Sequence, residues 1–532
     1  MKPTARIFSP RTIAIFERPL VLGICLILFL TLASVKVLNV QQMRGDTAIF
    51  SQLTENIASG RGPVSQVLAN TLAFQGSHLL KVPAEIVATD PLAPPPEREH
   101  NMLRFHEYLI LYPLALFARF MPAIVVLEGA YVLSFIGLIL MAYLALRKKH
   151  VPIGASALFC ILVISHPAWS GSLLWGQFYP DRIFVFAGFL FITIATQKYP
   201  NRIALLGAAL FCLLINERAA LIAGISLGAY VVLYWKTIDT DRALRLAVAG
   251  VLILYSLLIT KLWLENATYS QFLPTNLLEI GREWHSATFV GDAGIFLLMS
   301  APLLTIAFFE WRVALIAAIA LLPNIFGNIG GAEKVGWITA YHTYYLPILV
   351  WAAALGYEVA YRKAAGQKRV TLLLGSTTAI ILLVNMVNPN SIPEFSISPR
   401  NALASFPVQA SQQIATYLRP GGNALLLSAH KMSALVPKGT TVTTVEAGMP
   451  MVYRGRTIRF FPIGIESADY AIMAVVQSKS GPQYSGAISF MGPSETSKLN
   501  RLILERMKHD GYDFAHAQTF PEFDLAVIRR RH

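Results

Sequence analysis

Long apolar runs broken by short clusters of Lys and Arg recur over roughly the first 390 residues, and this alternation limits the fold more than any other feature. A bilayer core about 30 Å thick is crossed by about 20 apolar helical residues. Only 14% of the 532 residues are charged, well under the roughly 25% usual for soluble domains, so water cannot be the only solvent for this chain. The net charge of +14 does not point to nucleic acid, because the basic residues sit at span ends rather than on one face.

The first run, Pro19 to Leu38, is long enough to cross and lacks a small-residue cleavage site, so it reads as a retained helix. Lys36 near its outer end is expected to snorkel to the interface. Lys2, Arg6, Arg11 and Arg18 precede it and place the N-terminus in the cytoplasm. Further spans are expected near 123–146, 151–168, 182–197, 203–215, 219–235, 246–264, 293–310, 313–329, 344–361 and 370–387. Every second connection carries a basic group, such as Arg147-Lys148-Lys149, Lys198 with Arg202, and Arg362-Lys363, and this agreement supports about eleven spans.

The expected organisation is a transmembrane domain over 1–387, a Pro/Asn/Ser-rich linker over 388–400 and an extracytoplasmic α/β domain over 401–532. The first outer loop is long, about 39–122. Within it His106 to Phe120 reads as an interfacial helix opened by His106 and Glu107, with Pro113 inside. In the C-terminal part the composition predicts a helix near 408–418, strands at Ala424–Ser428, Ala471–Val476 and Leu525–Arg529, and a helix over Glu495–His509. The C-terminal part shows no GxGxxG, Walker loop or nucleophile elbow, and Cys25, Cys160 and Cys212 all lie in apolar runs as packing residues.

An ionisable group at mid-membrane costs roughly 2.5–3.5 kcal/mol on insertion scales, so its position carries information. Here such groups gather at the outer ends of spans: Asp46; His106 and Glu107; Asp181 and Arg182; Asn216, Glu217 and Arg218; Glu283, His285 and Asp292; and Glu333, Lys334, His342 and Tyr344. Each also has a plain reading as a helix cap, a solvated turn or interfacial decoration. Their shared side is the signal.

The order of these residues resembles a bacterial family of polytopic membrane proteins of unknown function that look like GT-C glycosyltransferases, enzymes that use polyprenyl-phosphate sugars. The resemblance rests on Gly45-Asp46 with Ile49-Phe50 and Gln52, on His106, on Phe178-Tyr179-Pro180-Asp181, on Asn216-Glu217-Arg218, and on Tyr341-His342-Thr343-Tyr344 before Leu346-Pro347. Two positions depart from it: Tyr179 stands where the family typically has His, and Arg218 where it has an acid.

The resemblance implies a GT-C-like α-helical polytopic fold in a bacterial inner membrane. It also implies transfer of a sugar from a polyprenyl-phosphate donor to an extracytoplasmic glycan or lipid acceptor. Asp46 then matches the acidic base of the first outer loop. Arg218 and Arg182, with Lys334 and His342 behind them, would meet the lipid phosphate, and Glu217, Asp181, His106, Glu107 and Tyr344 would hold substrate. Asp46 and His106 could share a Mg²⁺ or Mn²⁺, though no ligand set in the sequence requires one. Two other classes compete: a transporter or lipid flippase, which predicts mid-membrane polar groups and internal repeats, and a non-catalytic scaffold or sensor, which predicts scattered ones.

Overall fold

Helices dominate the described residues up to 363 because the apolar runs are rich in Leu, Ala, Ile and Phe, and a chain in lipid must satisfy every backbone polar group within its own segment. The structure, a computed structural model, describes residues 10–38, 46–65, 100–104, 106–238, 241–264, 287–327, 332–337, 339–363, 424–445, 448, 455–461, 464–478, 481–485, 493–521 and 524–531. The expected span at 370–387, the linker at 388–400, the helix near 408–418, and Glu283 and His285 lie outside these residues.

The chain divides into two compact units. The first comprises Met1–Lys36, Glu128–Gly176 and Pro180–Ser411, and the second Val37–Leu127, Gln177–Tyr179 and Gln412–His532.

The helices of the membrane body are α1 (Pro10–Leu38), α4 (Ala123–Lys148), α5 (Ile153–Ser165), α6 (Pro167–Trp175), α7 (Phe184–Ala195), α8 (Arg202–Ile215), α9 (Glu217–Leu233), α10 (Arg242–Leu262), α11 (Ala287–Ala307), α12 (Trp311–Phe326) and α13 (Leu346–Lys363). All but α6 fall on the first ten expected spans; α6 follows the one expected at 151–168. Among the described residues, three stretches are long and apolar enough to cross a membrane: Ala123–Lys148, Arg242–Leu262 and Thr288–Phe326. A fourth is added if α5 and α6, bent by 68°, form one broken span, so the expectation of about eleven is not established.

The bend falls at His166, whose Nδ1 accepts from Ala168 N at 3.2 Å and caps α6, with Pro167 at its first position. Thr288–Phe326 is interrupted by a 3₁₀ turn at Phe308–Glu310. At 1.5 Å per residue its 39 residues would extend about 58 Å, roughly twice the hydrocarbon core. Both α11 and α12 pack on α13, so this turn separates two helices.

Small residues set the closest approaches, since in lipid helices associate by packing. At Gly224 of α9 a methyl group would come within 2.8 Å of Ile253 Cγ1 on α10 and 3.0 Å of the Ala249 carbonyl. The basic end of α4 is tied to α1, where Glu17 accepts from Tyr143 Oη at 2.7 Å and Arg147 Nη2 at 2.8 Å.

In the second unit, α2 (Asp46–Ala58) is buried almost throughout from Thr47 to Asn56, polar residues included. Gln52 and Glu55 find partners: Ser65 Oγ donates to Gln52 Oε1 at 2.7 Å, and Glu55 Oε1 accepts from Ala123 N at 3.0 Å. The strands β1 (Val64–Ser65) and β2 (His100–Asn101) pair antiparallel. The expected interfacial helix is shorter than His106–Phe120: α3 covers Leu111–Ala118, and His106 and Glu107 precede it rather than open it. Pro113 is the cause, because a proline fits the first turn, where no intrahelical donor is needed, and not the interior of a helix begun at His106.

Among the described residues, the C-terminal part folds as a mixed sheet with two helices. Its elements are α14 (Ala424–Leu435), β3 (Thr441–Thr444), β4 (Thr457–Phe460), β5 (Tyr470–Ser478), β6 (Gly481–Ser485), α15 (Pro493–His509), β7 (Gln518–Phe520) and β8 (Leu525–Arg529). The order is β4-β3-β5-β8-β7, with β6 pairing β5; β3 is parallel to β4 and β5, and the remaining pairs are antiparallel. Strands at Ala471–Val476 and Leu525–Arg529 and a helix over Glu495–His509 agree with the sequence.

Ala424–Ser428 does not: it begins α14. Its run of Ala and Leu contains no β-branched residue, and Ala429, Lys431 and Met432 continue the strong helix formers until Pro437. Met432 from α14, Ile503 and Met507 from α15, and Val442, Ile472 and Ile528 from the sheet form the buried core.

Candidate functional site

Three separated segments of the first unit bring polar groups together at helix starts. A 3₁₀ turn at Pro180–Ile183 precedes α7 and buries both Asp181 and Arg182. Asn216 ends α8 and caps α9, with Oδ1 accepting from Ala219 N at 2.8 Å. Its Nδ2 donates to Asp181 Oδ1 at 2.6 Å and to Tyr344 Oη at 2.9 Å. Tyr344, just before α13, donates its own hydroxyl to the same Asp181 oxygen. Glu217 is fully buried in the first turn of α9, where the helix N-terminus favours a negative charge. Arg218 Nε lies 3.9 Å from Glu217 Oε1 and keeps 20% of its side chain exposed. The structure thus brings Asp181, Asn216 and Tyr344 into contact, with Glu217 and Arg218 next in the chain to Asn216.

Arg182 turns the other way. Its Nη1 donates to Ser172 O at 3.1 Å and to Tyr131 Oη, and its guanidinium stacks 4.8 Å from the Tyr131 ring centroid. Lys36 Nζ lies 4.5 Å from the same ring centroid, donates to Gly176 O at 2.9 Å and sits 3.6 Å from Glu128 Oε2. Lys36 therefore does not snorkel; it is 1% exposed and ion-paired inside the unit. A methyl group at Gly176 would come within 2.5 Å of the Ser172 carbonyl oxygen and would also meet the Arg182 guanidinium, so the position favours glycine.

Glu128 was not singled out in the sequence. It is an isolated acid in the second turn of a 26-residue apolar helix, and that isolation was the available signal.

Lys334 and His342 are also committed to neighbours. Lys334 Nζ donates to Gly327 O and Glu333 Oε1 and lies 4.1 Å from the Phe289 ring centroid. His342, in the 3₁₀ turn Ala340–Thr343, shares a hydrogen bond of 3.0 Å between Nδ1 and Tyr345 Oη, and its ring lies 4.6 Å from Trp337. Burial pushes its imidazole down to about 3, with His166 and Arg182 adding to the effect.

The sign of the pH dependence follows. Above about 6.5 the imidazole is neutral whether folded or unfolded. Between about 6.5 and 3 only the unfolded chain takes up the proton, so stability falls with falling pH, at most by about 1.4 kcal/mol per unit. The thermal midpoint of the detergent-solubilised protein should drop between pH 6.5 and 5, and His342→Gln should flatten that drop. An equal slope in both proteins would remove His342 as its source.

The second unit holds the other group of expected site residues. Asp46, the first residue of α2, accepts a hydrogen bond from the Tyr179 hydroxyl. Thr47 Oγ1 accepts from Phe178 N at 2.9 Å. Phe50 anchors this arrangement edge-on, with ring centroids 5.3 Å from Tyr108, 5.9 Å from Phe178 and 5.7 Å from Tyr179. His106 lies 5.4 Å from Tyr108, and Glu107 is buried. Tyr179 thus supplies a donor to Asp46 at the position where the resemblance leads one to expect histidine. Among the described residues, no three or more of His, Cys, Asp and Glu are grouped as a metal ion would require.

A family model described as "Predicted membrane protein (DUF2079)" matches residues 41–484. Comparison with curated proteins gives no match. Among solved structures, the chain is similar to ArnT from Cupriavidus metallidurans bound to undecaprenyl phosphate, with a TM-score of 0.42 and 12% identity over 88% of this chain and 99% of that chain. It is similar also to ArnT in the apo state, with a TM-score of 0.40 and 13% identity over 90% and 99%. Likeness at that level carries no argument about activity.

Proposed function

From the premise that the chain belongs to the DUF2079 family of predicted membrane proteins, we propose that it is a GT-C-type membrane glycosyltransferase. The donor would be a sugar on a polyprenyl phosphate, and the acceptor an extracytoplasmic glycan or lipid of the cell envelope. The observation that supports this reading most is the buried cluster of Asp181, Asn216 and Tyr344 with Glu217 and Arg218 beside it. Ionisable groups buried in a membrane body are costly, and they are retained where they serve a substrate.

In the proposed reaction the acceptor oxygen attacks the anomeric carbon, and the carbon–oxygen bond to the lipid phosphate breaks with its electron pair on the phosphate. The sequence resemblance assigns the hydroxyl proton to Asp46. Arg218 steadies the phosphate, since a guanidinium can hold two of its oxygens at once and this one keeps solvent access. Arg182 is fully buried against Tyr131 and is better suited to positioning the turn that carries Asp181. The rival transporter reading asks for polar groups at mid-membrane. Lys36 in the last turn of α1, Glu128 in the second turn of α4 and Arg182 just before α7 are instead at helix ends.

The test is transfer of radiolabelled sugar from a panel of polyprenyl-phosphate donors in membranes holding the full chain. Arg218→Gln should lower kcat/KM by about 10- to 100-fold, the worth of a hydrogen bond to a charged group, and Arg218→Lys should recover part of it. No transfer by the wild type from any donor would overturn the reading. Unchanged transfer in Arg218→Gln would remove Arg218 from the phosphate.

A further inference from the structure

A cavity of about 390 Å³ opens at the far end of α7 from Asp181, about 18 Å along that helix. It lies where α4 and α7 end and where α13 enters its last turns. Its rim carries Lys148, Lys149 and Lys198, and its wall is made by Phe189, Trp351 and Leu355. Glu358 is the single acid in the lining. Its two oxygens are divided between Lys149 Nζ at 3.3 Å and Arg362 Nη2 at 2.9 Å, so the rim keeps a positive excess. None of these residues belongs to the candidate site, and the cavity does not depend on the glycosyltransferase reading.

We propose that this cavity binds an anionic phospholipid, with the headgroup phosphate at the three lysines and an acyl chain along Phe189, Trp351 and Leu355. The charge complementarity is direct, and basic pockets between membrane helices are suited to lipid phosphates. Lysines that only offset the carbonyls at the ends of α4 and α7 would need no cavity and no aromatic wall. Here the same opening joins cations at a helix end to an apolar wall one to three turns deeper, which matches a lipid's own order of phosphate and chain. Lysines at the rim also agree with the positive-inside expectation that puts this end in the cytoplasmic leaflet.

The test is native mass spectrometry of the full chain in detergent with equal amounts of dioleoylphosphatidylglycerol and dioleoylphosphatidylcholine. The wild type should retain phosphatidylglycerol in preference, and Lys148→Gln/Lys149→Gln/Lys198→Gln should lower that preference by about tenfold. Arg202→Gln, which removes a cation outside the cavity lining, should leave it unchanged. A photoactivatable phosphatidylglycerol should cross-link to peptides containing 145–149 and 196–199, a readout that needs no variant to fold. Equal preference in the triple variant, or cross-links confined to other peptides, would overturn the proposal. Displacement of the bound lipid by millimolar inorganic phosphate would overturn it too, as the sign of a site for free phosphate.

Discussion

Asp46→Asn should lower sugar transfer by about 10²- to 10⁴-fold at equal expression, the usual worth of a positioned general base. The substitution keeps the size of the side chain and its place in the first turn of α2, so folding should be spared. In the proposed reaction, what it removes is the ability to take the acceptor's proton. Tyr179→Phe is the companion variant. It leaves the ring beside Phe50 and deletes the hydroxyl that donates to Asp46. It should cost about tenfold in kcat with little change in KM, because it loosens the base without removing it. Transfer at wild-type rate in Asp46→Asn would dismiss Asp46 as the base, whatever the tyrosine variant does.

The largest stability loss is expected from Glu128→Ala. Lys36 would then remain buried with the Glu128 carboxylate 3.6 Å away removed, and breaking a buried ion pair from one side typically costs about 3–5 kcal/mol. Replacing both partners, as in Lys36→Met/Glu128→Leu, should recover much of that loss, since apolar pairs of similar volume can equal a buried salt bridge. The measurement is the thermal midpoint of the purified protein in detergent for the two single variants and the double. A double variant no better than the worse single would show that the two side chains are not a pair.

These two groups also mark how far the sequence could be read. Apolar length and basic connections located α4 and α13 to within a few residues, because both signals are local. Asp181 and Asn216-Glu217 stood out because polar residues interrupt apolar stretches there. Lys36 was read by its distance from a helix end, and that rule fails when a counter-charge exists elsewhere in the fold. Nothing in the periodicity of α1 announces Glu128. Ala424–Ser428 shows a different limit: a short apolar run fits a buried strand or a helix equally, and the choice depended on the helix formers that follow it. Pro113 carried its message openly, as a restriction on where α3 could begin.

The pairing of Lys36 with Glu128 has a consequence for biosynthesis. Lys36 leaves the ribosome roughly ninety residues before Glu128, which at about 5–20 residues per second leaves the first helix without its counter-ion for on the order of ten seconds. During that interval the Glu128 carboxylate is not yet there to meet its ammonium. The contact that seats Lys36 beside Glu128 is therefore completed by a segment translated well after the first helix.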